Sequence, residues 1–173
     1  LVTIRPETDN DVTAIYHINA QGFGREKEAE FVNHLRDHHG VTLSLVAELD
    51  GLLVGHALFS PAKIEPDGSG FNSVVLAPLA ILPEYQRRGI GSRLVREGIE
   101  QMRIMGHDII FLVGHPEYYP RFGFTRAGRM GFRCEFDVPD KAWMLLETGK
   151  KDYRNLERTV YFRPEFRVAI ENG

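Results

Sequence analysis

Residues 79–94 read LAILPEYQRRGIGSRL. An apolar run stops at Pro83, which cannot donate a sheet hydrogen bond, and a polar loop then leads to Gly89-Ile90-Gly91 at the start of a predicted helix. Glycines there remove the Cβ atoms that would hold an anion away from the backbone, and the first N–H groups of a helix have no partner within it. Such a loop is built to hold phosphate. Two familiar phosphate loops fail on spacing. A dinucleotide-binding GxGxxG follows its strand directly and needs a third glycine, whereas here Leu94 stands in that place and six residues separate Leu82 from Gly89. A P-loop needs glycine, lysine and serine or threonine in succession, which the chain lacks. What remains is QxxGxG, from Gln86 to Gly91, behind a strand that ends in Ile-Leu-Pro.

Upstream, residues 71–82 (FNSVVLAPLAIL) form a long strand, nearly all apolar toward its end, as expected of a strand covered on both faces. Before it, VTLSLVAELDGLLVGHALFSPAKI is a hairpin, because Asp50-Gly51 accepts the positive φ angles of a tight turn between two β-branched runs. Earlier still, residues 1–5 alternate like a short strand ended by Pro6. A helix capped by Thr8 or Asp9 then carries Val12, Ile15, Ile18 and Asn19 at helical spacing. A second helix over about 26–38 places Ala29, Phe31, Val32 and Leu35 inward and ends at Gly40.

Downstream, the loop opens a helix over about 91–105 with Leu94, Val95, Ile99 and Met102 on one stripe, closed by Gly106. HDIIFLVG is a buried strand, and strand, helix, strand in this order implies a parallel crossover whose ligand crevice lies at the strands' carboxyl ends. HPEYYPRFG makes a short helix or turn, residues 124–136 and 141–148 read as closing strands or as a strand with a long loop, and TVYFRPEF could add an edge strand. The expected fold is mixed α/β, a central, mostly antiparallel sheet with one parallel crossover, flanked by helices, in a single domain over residues 1–173.

Composition narrows the partners. The chain is 43% hydrophobic and 26% charged, which suits a packed globular domain. Lys and Arg number 21 against 24 Asp and Glu, a net charge of −3 without the basic excess that nucleic-acid binding requires. The single cysteine, Cys134, permits no internal disulfide, and no apolar run is long enough for a membrane span. A cytoplasmic enzyme with neither nucleic-acid nor membrane partners is expected.

The segment from Gln86 to Gly91 resembles the acyl-CoA pyrophosphate loop of the GNAT superfamily of N-acyltransferases, whose pattern is glutamine or arginine, two residues, glycine, one residue, then glycine or alanine. A second match is YYPRFGF, which resembles that family's tyrosine four residues before a glycine-phenylalanine pair, here Gly123-Phe124. The order of elements agrees over about residues 1–130. The resemblance implies that Gln86, Arg87, Arg88, Gly89, Ile90, Gly91 and Ser92 surround the pyrophosphate, mainly through backbone N–H groups. It implies that the backbone of Leu79, Ala80 and Ile81 pairs with the pantetheine arm like an added strand. It also implies that acetyl-CoA is the co-substrate, that a small-molecule or peptide amine is the acceptor, and that Tyr119 is the general acid, with Tyr118 as the neighbouring alternative.

The chain departs from that family at two points. Neither FNSVVLAPLAIL nor HDIIFLVG offers the inward glutamate that serves many members as general base, and the asparagine common after the fifth strand is missing from GHPEYY. Water could relay the amine proton instead, or His56 or His115 could, since histidine titrates near neutrality. A non-catalytic acyl-CoA sensor or scaffold is the alternative to an enzyme, and thiol release separates the two. His34 and His38 share a helical face with Glu30 but more simply make a solvated helix end, so no metal is expected. Phe132, Phe136, Trp143 and Met144 read as ordinary core, which could also roof an acceptor pocket or seal a homodimer.

Overall fold

A computed structural model describes residues 1–66, 71–152 and 157–171 of the chain. It begins with β1 (Val2–Pro6), α1 (Val12–Phe23) and α2 (Lys27–Asp37), then the hairpin β2 (Leu43–Leu49) and β3 (Leu52–Glu65). β4 (Ser73–Ile81), α3 (Ile90–Ile104) and β5 (Ile109–Val113) follow. The chain closes with β6 (Thr125–Arg126), β7 (Phe132–Cys134), β8 (Trp143–Glu147), β9 (Arg158–Tyr161) and α4 (Glu165–Glu171). The architecture is mixed α/β, with a mostly antiparallel sheet that contains a parallel pair and is flanked by helices.

The chain divides into two compact units, and β3, β4 and α3 each run from one into the other. The first comprises Leu1–Ser60, Ala77–Gly98 and Arg163–Gly173. In it β1, β2 and β3 pair antiparallel, and the hairpin turns at Asp50 (φ 50°) and Gly51 (φ 82°), both left-handed as a two-residue I′ turn demands. Ile15, Ile18, Leu35, Leu45, Leu58, Phe59 and Leu94 make its core. Phe59 fits against α3 because residue 98 is glycine: a Cβ there would lie 2.3 Å from the ring. The second helix ends differently from the sequence expectation. His39, at φ 57°, is the left-handed residue, while Gly40 is small because a Cβ would press at 2.9 Å on Leu35 and Arg163. TVYFRPEF holds a strand and then α4, whose Phe166 packs edge-on against Phe31 of α2.

The second unit comprises Pro61–Leu76 and Ile99–Phe162. β4 and β5 pair in parallel from Ser73↔Ile109 to Val75↔Phe111, and β8 pairs antiparallel with both β5 and β6. The expected edge strand is not at a free edge. β9 pairs antiparallel with residues 63–65 of β3 and parallel with β7. Phe132 and Trp143 belong to the core, with Trp143 stacked on Phe111 at 5.1 Å and its indole N–H donated to the Phe132 carbonyl at 3.0 Å. Among the described residues no helix is long and apolar enough to cross a membrane.

Candidate active site

In the first unit, β4 changes character at Ala77. Ser73 to Leu76 are buried without interruption, as expected, but from there Ala77, Leu79 and Ile81 are half-exposed while Pro78, Ala80 and Leu82 stay buried. One face of the strand end is therefore open. The N–H of Leu82 is donated to Val54 at 2.9 Å, which removes it from the backbone donors that the strand end could offer a substrate carbonyl.

Past Leu82 the chain makes one 3-10 turn, Pro83–Tyr85, and enters the loop. Gln86 donates its side-chain amide to the carbonyl of Ile81 at 3.0 Å, so the glutamine fastens the loop to the strand. Arg87 (φ 62°) and Gly89 (φ 79°) are both left-handed, and between them they turn the backbone into α3. The first rung of the helical ladder is Arg93 N–H to Gly89 carbonyl at 3.1 Å, so the N–H groups of Ile90 and Gly91 lie in the first turn ahead of it. The guanidinium of Arg88 sits 5.3 Å from the centre of the Tyr85 ring, while Arg87 is exposed and forms no ion pair among the described residues. Ser92 is half-exposed in the same turn. Helix dipole, unladdered N–H groups and two guanidiniums together favour an anion at this place.

In the second unit, residues after β5 fold into the tyrosine turn. The carbonyl of His115 accepts the N–H groups of Tyr118 (3.1 Å) and Tyr119 (3.4 Å), and Gly123 (φ 99°) ends the 3-10 turn Tyr119–Phe122. The two tyrosines are held differently. Tyr118 lies under the Arg121 guanidinium at 4.5 Å, and Arg121 also donates to its carbonyl at 2.8 Å. The Tyr119 ring leans on Gly114, where a Cβ would lie 2.4 Å from its Cε2, and meets Phe124 edge-on at 5.8 Å. Its hydroxyl makes no hydrogen bond to the described residues, and burial pushes its pKa up to about 12, with the neighbouring Tyr118 adding to the rise. The phenol is thus fully protonated at neutral pH.

Gly114 carries no sequence signal of this role. Gly114→Ala should displace the Tyr119 ring and lower turnover about tenfold or more, since an ångström of misplacement can cost a hundredfold. Affinity for CoA, measured by calorimetry, should not change. A variant with wild-type turnover would show that the position of this ring is immaterial.

The histidines part company. His56 is completely buried, with Asn19 Nδ2 at 3.0 Å from Nδ1 and Ser44 Oγ at 2.9 Å from Nε2. The amide must donate, so Nδ1 accepts and Nε2 carries the proton toward Ser44. Both nitrogens are engaged and neither faces solvent, which sets His56 aside as a candidate for the proton relay. Asn19 lay on the apolar stripe of its helix, a polar residue out of place, and that was the available signal for this network. His115 is exposed at the head of the tyrosine turn.

Burial, with a smaller contribution from the charge of Arg36, lowers the His56 pKa to about 3, against about 6.5 in an unfolded chain. The unfolded chain therefore gains a proton that the folded one refuses. The contribution to stability is complete above about pH 6.5 and lost on acidification through the window down to about 3, at up to about 1.4 kcal/mol per pH unit. We expect the His56 ring resonances to show no titration between pH 7 and 5. A midpoint near 6 would contradict the network.

Two other groups settle readily. Burial pushes the Cys134 thiol up to about 11, so this half-buried side chain is no nucleophile at neutral pH. His38 lies 3.9 Å from Glu165, and among the described residues no three His, Cys, Asp or Glu side chains cluster as metal ligands would.

The model of the acetyltransferase (GNAT) domain matches residues 3–127, which include the strand end, the loop and both tyrosines. The chain belongs to the GNAT acetyltransferase family. It is 39% identical over 142 residues to the uncharacterised N-acetyltransferase YjhQ of Escherichia coli K12, covering 79% of this chain and 78% of that one. It is similar in structure to the GNAT N-acetyltransferase YhbS of Escherichia coli, crystallised in complex with CoA, with a TM-score of 0.89, 28% identity and coverage of 96% and 92% of the two chains. A GNAT acetyltransferase of Brucella melitensis, crystallised with acetyl-CoA, gives a TM-score of 0.79 at 32% identity over 96% of this chain and 98% of that one. The matched segment contains Gln86, Gly89 and Gly91, in the geometry just described.

Proposed function

We propose that the protein transfers an acetyl group from acetyl-CoA to the primary amine of an acceptor by direct attack. The loop carries this reading: an open strand end fastened through Gln86 to a helix whose first N–H groups await an anion, in a chain similar to proteins crystallised with CoA and acetyl-CoA. The pyrophosphate takes the N–H groups of Ile90 and Gly91, with Arg87 and Arg88 adding charge. Pantetheine runs along the backbone of residues 79–81, on the face that Leu79 and Ile81 leave half-exposed.

The neutral amine attacks the thioester carbonyl carbon, a tetrahedral intermediate forms, and the C–S bond breaks. Tyr119, as general acid, hydrogen-bonds the departing sulfur and shares its phenolic proton with it as the C–S bond breaks, and solvent supplies the proton that the released thiol keeps. Water accepts the proton of the attacking nitrogen, either directly or through the exposed His115. Holding both reactants in place supplies much of the acceleration, because an acetyl thioester is already activated. The lone, uncrosslinked Cys134 suits a reducing compartment such as the cytoplasm.

The test is thiol release from acetyl-CoA in the presence of polyamines, amino acids, aminoglycosides and peptide N-termini. Release that depends on one class of amine supports the reading. Tight binding of acetyl-CoA with no release beyond background for any amine would instead identify an acyl-CoA sensor.

A further inference from the structure

Beside the tyrosine turn, and wholly within the second unit, lies a cleft of about 270 Å³. Its floor is apolar: Phe124 and Met144 are buried, and Pro120 continues it. Its rim is cationic, made by the exposed side chains of Arg126, Arg129 and Lys141, which come from β6, from the turn after it and from the 3-10 turn just before β8. Arg129 and Lys141 have no carboxylate partner among the described residues. The carboxylate near the rim is Asp140, 3.8 Å from Arg126, and with both groups largely exposed that pair is weak. Three cations around one apolar floor, in a chain of net charge −3, give the cleft a locally positive potential.

The cleft adjoins the tyrosine that the proposed reaction uses. Pro120 follows Tyr119 directly, and Phe124 forms part of the floor with the same ring that meets Tyr119 edge-on at 5.8 Å. Arg129, Lys141 and Met144 lie beyond residue 127, outside the segment that the family's domain model matches.

We propose that this cleft is the acceptor subsite and that it takes an apolar group flanked by a carboxylate, so that the preferred acceptor is an apolar amino acid or a close analogue of one. The inference deepens the acetyl-transfer reading and rests on it for the word acceptor. The site's ligand chemistry follows from the lining alone. An aromatic or branched side chain covers Phe124 and Met144, and the carboxylate meets the guanidinium groups, for which planar, bidentate contact is available. An amine without the carboxylate would leave Arg129 and Lys141 unpaired and gain only the floor.

The probe is N-acetyl-L-phenylalanine, the product such an acceptor would give, titrated into the CoA-loaded protein by calorimetry or ligand-observed NMR. N-acetylphenethylamine, which lacks the carboxylate, is the control. We expect N-acetyl-L-phenylalanine to bind about tenfold more tightly or better, and that advantage to shrink with added salt. Arg126→Gln with Arg129→Gln should remove most of it while CoA affinity stays constant, and Lys141→Gln should weaken it independently. All three side chains are exposed, so these variants should fold. Equal binding of the two probes, or binding unchanged in the double variant, would overturn the subsite. Phenylalanine acetylated no faster than phenethylamine would overturn it too and leave the acetyl-transfer reading standing. Carboxylate-dependent binding in the cleft without thiol release from any amine would keep the site and remove the transfer reading.

Discussion

Tyr119→Phe should lower turnover by roughly 10²-fold while leaving CoA affinity and melting temperature nearly unchanged, because it deletes one hydroxyl and keeps the ring that packs on Gly114 and Phe124. A positioned acid contributes between about 10²- and 10⁴-fold, and two pKa values place this one at the lower end. The phenol is raised to about 12, whereas a thiol leaves at a reference value near 8.5, so complete transfer to a free thiolate would be uphill. The gain comes from a hydrogen bond that strengthens as the C–S bond breaks. The same shift means that the rate should show no alkaline loss attributable to this phenol up to about pH 11. Tyr118→Phe is the control and should keep most activity, since Tyr118 is committed to Arg121. If Tyr118 proves the damaging position, the acid is the neighbouring ring. If neither matters, the proton comes from water and the turn is structural.

Gly89→Val should weaken CoA binding by about tenfold or more, equivalent to about 1.4 kcal/mol. The structure changes the reason one would give from sequence. A Cβ on residue 89 would meet nothing within 4 Å, so the protein itself has room for a side chain. The φ of 79° is what a branched residue cannot hold without strain of about 1–2 kcal/mol. The loop would relax, and the N–H groups of Ile90 and Gly91 would turn from their common target. Melting temperature should fall by only a few degrees. Gly89→Asn separates two causes, because asparagine tolerates the left-handed region. Affinity restored by asparagine would show that backbone conformation matters. Equal loss in both variants would mean that any Cβ blocks the anion. Unchanged affinity in folded Gly89→Val would remove the pyrophosphate from this loop.

Much of this was legible in residues 79–94, since strand, proline stop, paired glycines and helix each have a local cause that no distant contact overrides. The hairpin was legible for the same reason, because Asp50-Gly51 permits the turn that the structure contains. What escaped depended on partners far along the chain. Nothing near His56 announces Asn19 or Ser44, so the sequence alone left a titrating histidine among the readings of a buried, doubly bonded one. Gln86 read as part of a phosphate pattern, yet its side chain binds the carbonyl of Ile81 and serves the loop's position. The basic rim was invisible because Arg126 and Arg129 are separated from Lys141 by a dozen residues that the chain must fold to close. The helix at Glu165–Glu171 was missed because Pro164 at its mouth looked like the end of a strand when it also suits a helix start.

The most direct measurement follows the acetyl group itself. Acetyl-CoA carrying a carbon-13 acetyl label, incubated with the protein and a mixture of primary amines, should yield one free CoA thiol for each labelled amide on nitrogen, detected by mass spectrometry and thiol titration. Labelled acetyl-CoA that binds stoichiometrically but remains intact with every amine, or thiol that appears without any labelled amide, would contradict acetyl transfer to an amine as this protein's reaction.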